Sequence, residues 1–300
     1  MIIPAYLKPG DTIAIAAPAR KISEMEIRPA VELLQQEGFK VYYDERLFAE
    51  HHQFAGTDEI RASYFQYLLD EPNINAIWCA RGGYGSVRII DRLDFSKFQN
   101  HPKWIVGYSD ITVFHSHINK NLGIATLHAT MPINVKGGDF DQPHIRSLVA
   151  ALKGEVLHYE IPSHPFNRPG EMNAPVVGGN LSMLYSMLGS PSDVQTDGKI
   201  LFIEDLDEYL YHIDRMMENL VRNGKFDHLA GLLVGHLSDM HDNTIPFGKN
   251  AEEIVAEHCQ KFDFPVIFNF PAGHLADNRA IRMGCPMRCH IQTDNISIEN

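Results

Sequence analysis

The chain of 300 residues is long enough for about two domains, and 26 Lys and Arg against 38 Asp and Glu leave a net charge of −12. That balance excludes the basic face of a nucleic-acid binder and the polybasic patch of a membrane-contacting protein. A hydrophobic content of 44% with 21% charged residues fits a folded globular chain, not a disordered one.

The opening, Met1–Asp11, lacks the basic stretch and apolar core of a secretory leader. No apolar run approaches the ~18 residues of a membrane span. Thr12–Ala17 follows Pro9-Gly10-Asp11 and predicts a buried strand. Ala30–Glu37 predicts a helix through Ala30, Val31, Leu33 and Leu34, with Gly38 as its stop. Lys40–Tyr43 predicts a second strand. Thr57 can cap a helix whose inner face holds Ile60, Tyr64, Tyr67 and Leu68. Ala76–Ala80, Trp104–Gly107 and Gly123–Leu127 complete a set of five strands, with a short helix expected over Ser86–Leu93. Strand and helix in turn mean βαβ units and a parallel sheet, whose functional loops lie at the strands' C-terminal ends.

Four prolines, Pro162, Pro165, Pro169 and Pro175, then fall close together. Such density argues against a central strand or a helix interior. Residues 161–175 are therefore expected to be a linker between domains at 1–160 and 176–300. Beyond it, Gly178–Leu188 reads as a loop and then a helix, Lys199–Glu204 as a strand, and Tyr209–Val221 as a helix. Leu229–Gly235 is a strand, Ala251–Cys259 a helix, and Val266–Phe268, Ala280–Met283 and Met287–Ile291 are short strands. The four cysteines, Cys79, Cys259, Cys285 and Cys289, match no zinc spacing and do not form a disulfide framework in a chain this long. They read as structural thiols of a reducing compartment, the cytoplasm.

Three segments end an apolar strand in a reactive side chain. Trp104–Tyr108 leads to Ser109, Ile200–Ile203 to Glu204, and Val266–Gly273 to His274. A hydroxyl, a carboxylate and an imidazole are the parts of a nucleophile, base and orienter. Ser109 fits a strand-to-helix nucleophile turn only in part, because Ile111 stands where the motif wants glycine. A helix N-cap is its plain alternative. Glu204 has Asp205 and Asp207 as rivals, and strand alternation sends Asp205 to the opposite face, toward solvent. His274 is one of sixteen histidines. Arg81-Gly82-Gly83-Tyr84-Gly85 follows a strand and can present backbone amides to an anion or carboxylate. It can equally be a plain tight turn, and its spacing argues against a nucleotide loop. Arg81 is a candidate clamp for a substrate carboxylate, or one half of a surface ion pair. Gly235–Asp242 gathers two histidines and two aspartates without a zinc spacing, so it reads as a polar loop before a metal site. His115 and His117 stand two apart on a helix and cannot share a metal.

Taken together these residues resemble the LD-carboxypeptidase family of serine peptidases. The likeness rests on Leu7-Lys8-Pro9-Gly10-Asp11-Thr12 with Ala17-Pro18, and on Phe54-Ala55-Gly56-Thr57-Asp58 with Arg61. It continues through Ala80–Gly85 with Arg88 and Gly107-Tyr108-Ser109-Asp110. In the second half it includes Gly178–Leu181, Phe202–Asp205 and Gly273-His274. The resemblance implies an α/β fold: an N-terminal parallel-sheet domain, Rossmann-like or flavodoxin-like, plus a smaller β-rich α+β C-terminal domain. It implies Ser109 as nucleophile, His274 as base, Glu204 as orienter, and an oxyanion hole from the amides of Gly82, Gly83 and Asp110. It further implies release of C-terminal D-Ala from murein tetrapeptides during cell-wall recycling, no metal or organic cofactor, and a homodimer. Two other readings stand beside it: a hydrolase of peptidyl-nucleotides like the microcin self-immunity enzymes, and a ligand-binding protein without turnover.

Overall fold

The computed structural model describes residues 1–137, 140–292 and 295–300. Its first half alternates strand and helix. In chain order these are β1 (Thr12–Ala16), α1 (Glu24–Gln36), β2 (Lys40–Tyr42), α2 (Asp58–Asp70), β3 (Ala76–Cys79), α3 (Ser96–Asn100), β4 (Trp104–Gly107), α4 (Thr112–Leu122), β5 (Thr126–His128) and α5 (Pro143–Lys153). The second half holds β6 (His158–Pro162), β7 (Gly170–Asn180), α6 (Leu181–Ser186), β8 (Ile200–Leu206), α7 (Leu210–Arg222), β9 (Gly231–Ser238), α8 (Ala251–Cys259), β10 (Val266–Ile267), β11 (Ile281–Met283), β12 (Pro286–Ile291) and β13 (Asn295–Glu299).

Among the described residues two sheets form. The first has the order β2-β1-β3-β4-β5-β11, parallel except for the antiparallel β11. Its strands β3 and β4 are buried along their whole length, as the apolar runs require. The second is mixed, with β10-β9-β8-β7 parallel and β7-β12-β13-β6 antiparallel. The chain is thus a two-domain α/β protein, with a mostly parallel N-terminal sheet and a mixed C-terminal one. The two are laced together: β6 starts before the expected boundary at residue 160 and runs across it to edge the second sheet, and β11 follows it yet edges the first.

Four local expectations change. Helix α1 starts at Glu24, ahead of Ala30, because Ser23 and Glu26 form a capping box and Pro29 is carried inside. On α2 the buried face is Arg61, Ala62, Tyr64, Phe65, Leu68 and Leu69. Ile60 and Tyr67 are outside it, at 38% and 37% exposure, since the helix turns Arg61 inward. Ser86–Leu93 forms two short 3-10 turns, not one helix. Finally, 161–175 is not a free linker. Pro162 ends β6, and Pro175 lies within β7 where that strand changes partner, from β12 over Gly170–Pro175 to β8 over Val176–Asn180. A residue without an N–H costs least at such a switch.

All four cysteines are buried and free. No helix among the described residues is long and apolar enough to cross a membrane.

The two halves meet where α4 packs on the end of β7. The Asn180 amide donates to Thr112 Oγ1 at 3.0 Å in a buried contact. Gly179 has φ 137°, and a Cβ there would stand 2.4 Å from the same oxygen. Thr112→Val keeps the shape and removes the acceptor. It is expected to cost about 1–3 kcal/mol, the penalty of an unpaired buried donor, read as a lower urea midpoint with unchanged slope.

Candidate active site

Ser109 follows β4 directly and has φ 64°, the left-handed region that a non-glycine residue rarely enters. Such strain persists where surrounding contacts over-determine it. Tyr108 stands at the N-cap position of the turn that follows, Ile111 at that of α4, and neither start is capped by a side-chain hydrogen bond from Ser109 or any other residue. The N-cap alternative therefore does not describe Ser109, whose hydroxyl is left free to face the second half of the chain.

There it meets His274. His274 Nε2 stands 3.1 Å from Ser109 Oγ, and its Nδ1 stands 2.6 Å from Glu204 Oε2. Glu204 is fully buried near the end of β8, and His274 is partly buried, with 13% of its side chain exposed. The other Glu204 oxygen has no partner among the described residues. Nδ1 therefore carries the proton facing the carboxylate, and Nε2 presents its lone pair to the hydroxyl. Burial alone would depress the His274 pKa. The charge and hydrogen bond of Glu204, with Asp205 behind it, outweigh that and leave it raised above 6.5. The Tyr108 ring lies edge-on to His274 at 4.9 Å, and burial together with the Glu204 charge pushes its phenol up to about 12.

Asp205 does face the other way from Glu204, but it is buried, not solvated. It accepts from Asn180 Nδ2 and from the Ser182 amide and hydroxyl, each at 2.8 Å. Burial, and then the Glu204 charge, push it up to about 6. Asp207 is exposed and bonded to His241.

The glycine loop after β3 closes over Ser109. A Cβ on Gly82 would lie 3.1 Å from Ser109 Cβ and 3.3 Å from its Oγ. The loop is fixed at one peptide unit. Arg61 Nη1 donates to the Gly85 carbonyl at 2.9 Å, and the Ser86 amide donates to Asp110 Oδ2 at 2.8 Å. Asp110 is 1% exposed, and burial raises its pKa despite that bond. Arg81 is turned away to Glu26, 3.8 Å distant, with the Lys21 carbonyl nearby. The ion-pair alternative is the one its surroundings match.

Sequence reasoning missed three supports, because each is a side-chain-to-backbone or side-chain contact with no spacing signature, at separations from five residues to 150. Asn278 Oδ1 accepts from the Gly273 amide at 2.9 Å and from His128 Nε2 at 3.2 Å. Ser238 Oγ donates to the His274 carbonyl at 2.8 Å. His115 donates from Nε2 to the Gly107 carbonyl at 2.9 Å, and burial drops its pKa to about 4, so it is a neutral strut. Ser238 belongs to β9, so the stretch from His236 to Ser238 is strand and not loop. Among the described residues no three His, Cys, Asp or Glu side chains are placed to hold a metal. A cavity of about 680 Å³ opens beside Tyr108 and His274, the neighbours of Ser109, and is lined also by Asn134, Lys136, His144 and Leu275 among others.

Comparison with known proteins adds the following. The sequence model of the LD-carboxypeptidase N-terminal domain matches residues 13–129, and that of the C-terminal domain matches 173–289. A probable murein peptide carboxypeptidase of Bacillus subtilis is 34% identical over 288 residues, 94% of this chain and 89% of the relative. The crystal structure of muramoyltetrapeptide carboxypeptidase from Oxalobacter formigenes superposes with a TM-score of 0.87. It is 26% identical, covering 96% of this chain and 98% of that one. The microcin C7 self-immunity protein MccF of Escherichia coli is 25% identical, over 99% of this chain and 95% of its own.

The electrostatics carry a direct test. Followed by NMR, the His274 ring is expected to titrate above 6.5. Glu204→Gln removes the charge that opposes burial, so the titration should move down in pH. A variant titrating at the wild-type value would show that Glu204 does not set it.

Proposed function

Because the chain belongs to the LD-carboxypeptidase family, we propose that it is a serine carboxypeptidase acting on murein tetrapeptides. It releases the C-terminal D-Ala by hydrolysing the bond that joins it to the L-centre of the diamino acid. The observation that carries this reading is the unbroken hydrogen-bonded line Glu204–His274–Ser109. Its serine is held in a strained turn, and the adjoining Tyr108 and His274 line a cavity of the size that takes small ligands.

The proposed steps use the hydrogen-bonded line and the glycine loop packed on Ser109. His274 Nε2 takes the Ser109 proton as Oγ attacks the carbonyl carbon, and the carbonyl π pair moves to oxygen. The amides of Gly82, Gly83 and Asp110 receive that oxyanion, a contribution whose loss typically costs ~10²–10³ in rate. As the tetrahedral adduct collapses, the C–N bond breaks and His274 hands the proton to the departing amine of D-Ala. Water, deprotonated by the same imidazole, then attacks the acyl-serine ester and frees Ser109. Glu204 holds the ring in the useful tautomer and stabilises its cation. These steps need no metal or organic cofactor.

A second reading, hydrolysis of a peptidyl-nucleotide, draws on the full-length likeness to the self-immunity protein. Incubation with murein tetrapeptide and with a peptidyl-adenylate mimic, read by mass, separates the two. The expected outcome is a product lighter by one alanine residue from the tetrapeptide and an intact mimic. Ser109→Ala should lower that turnover by about 10⁴ or more while the far-UV spectrum and thermal midpoint stay close to wild type. A folded variant that loses less than tenfold removes Ser109 as the nucleophile.

A further inference from the structure

An exopeptidase must recognise the free carboxylate of the residue it releases. The basic side chains around the glycine loop differ in whether they already have an anionic partner. Lys21 pairs with Glu50 at 2.5 Å, and Arg81 faces Glu26. Arg61 and Arg88 both bond to Asp58. Arg20 is exposed, and among the described residues its guanidinium has no hydrogen-bond or ion-pair partner.

Its position is as telling as its freedom. The Arg20 side chain lies flat across Gly83: a Cβ there would meet Arg20 Cδ at 2.5 Å and Nε at 2.6 Å. Gly83 has φ 107°, so glycine answers two demands at once, the backbone twist and room for the arginine. The preceding residue, Gly82, packs on Ser109. Ser109 and Arg20 therefore flank adjacent residues of one loop, whose Cα atoms stand about 3.8 Å apart. The sheet order gives the same result. Arg20 follows β1, the loop follows β3 and Ser109 follows β4, and β1, β3 and β4 are parallel neighbours that end at one edge. The cavity lined by Asn134 and His144 opens where the chain leaves β5, the other neighbour of β4, and so leaves the β1 side for the released residue. A terminal carboxylate lies one residue step, about 4 Å, beyond the carbonyl carbon that Ser109 attacks. An arginine side chain one loop residue away spans the remainder.

Resting on the carboxypeptidase reading above, we propose that Arg20 is the specificity residue that binds the free α-carboxylate of the departing C-terminal residue. The guanidinium fork receives the two carboxylate oxygens in a bidentate pair. Arg81 fits this role less well, because it faces the Glu26 carboxylate at 3.8 Å.

The test compares one tetrapeptide as its free acid and as its C-terminal carboxamide. Wild type should favour the acid by about 10²-fold in kcat/KM, the scale of a desolvated charge pair. Arg20→Gln should lose that factor on the acid, keep its rate on the amide and so abolish the preference. Arg20→Lys should restore part of it, and Arg81→Gln should keep it. A merely structural role for Arg20 would lower both substrates together. An Arg20→Gln enzyme that still prefers the acid overturns the assignment, and a preference lost in Arg81→Gln instead moves it to Arg81. Wild type that leaves the tetrapeptide intact in either form overturns the carboxypeptidase reading and this assignment with it.

Discussion

The peptide bond between Gly85 and Ser86 is gripped at both ends, its carbonyl by the Arg61 guanidinium and its amide by the Asp110 carboxylate. Both gripping side chains are almost wholly buried, at 2% and 1% exposure. In such surroundings a hydrogen bond is stiff, because losing it strands a desolvated group. Asp110 is also the residue after Ser109. Its side chain therefore ties the glycine loop to the turn that carries the hydroxyl, and Gly82 is pressed against Ser109 as a result. Arg61 extends the grip outward through Asp58, which Arg88 also holds. The position of the loop amides relative to the serine is thus fixed by a buried chain of charges, not by the loop's own sequence.

The same economy joins the halves. Ser109 comes from one sheet and its two hydrogen-bonded neighbours from the other, yet no flexible hinge stands between them. Thr112, in the first turn of α4, accepts from Asn180 at the end of β7. Asn180 in turn donates to Asp205, the residue after Glu204. From the helix behind the serine to the strand carrying the glutamate there are two hydrogen bonds. The hydrophobic clusters cross the boundary as well: Phe114 and Ile118 share one with Leu181 and Ile203, and Trp104 shares another with Phe202 and Phe270. The domains behave as one packed body, in which a shift of one sheet against the other would break buried polar contacts.

Much of this was legible in the sequence. The alternation of apolar runs and helical stretches predicts the parallel sheet, and strands running into Ser109, Glu204 and His274 bring those side chains to the reader's notice. Choosing His274 from sixteen histidines took the family resemblance, since spacing holds no information about which strand ends meet. Alternation gave Asp205 the correct face and the wrong environment, because it says nothing of what covers that face; here Asn180 and Ser182 do. Arg61 looks like a surface residue of an amphipathic helix until the carbonyls of Pro18 and Gly85 are seen beside it. The prolines near 161–175 misled for a related reason. Proline forbids one hydrogen bond, and a strand that changes partners has one to spare.

Strand β11 closes the edge of the first sheet by pairing with β5, which lies roughly 150 residues earlier in the chain. During synthesis at about 5–20 residues per second, β5 waits on the order of ten to thirty seconds for its neighbour. Until then the first sheet shows an open edge and part of its buried face. His274 leaves the ribosome only shortly before β11, so the histidine beside Ser109 arrives together with the strand that seals the sheet. A chain truncated before residue 281 would be left with an unsealed edge, a signal that quality-control proteases and chaperones read as unfinished protein. Closure of the first sheet is therefore tied to translation past residue 283, a few residues after the histidine beside Ser109 has been made.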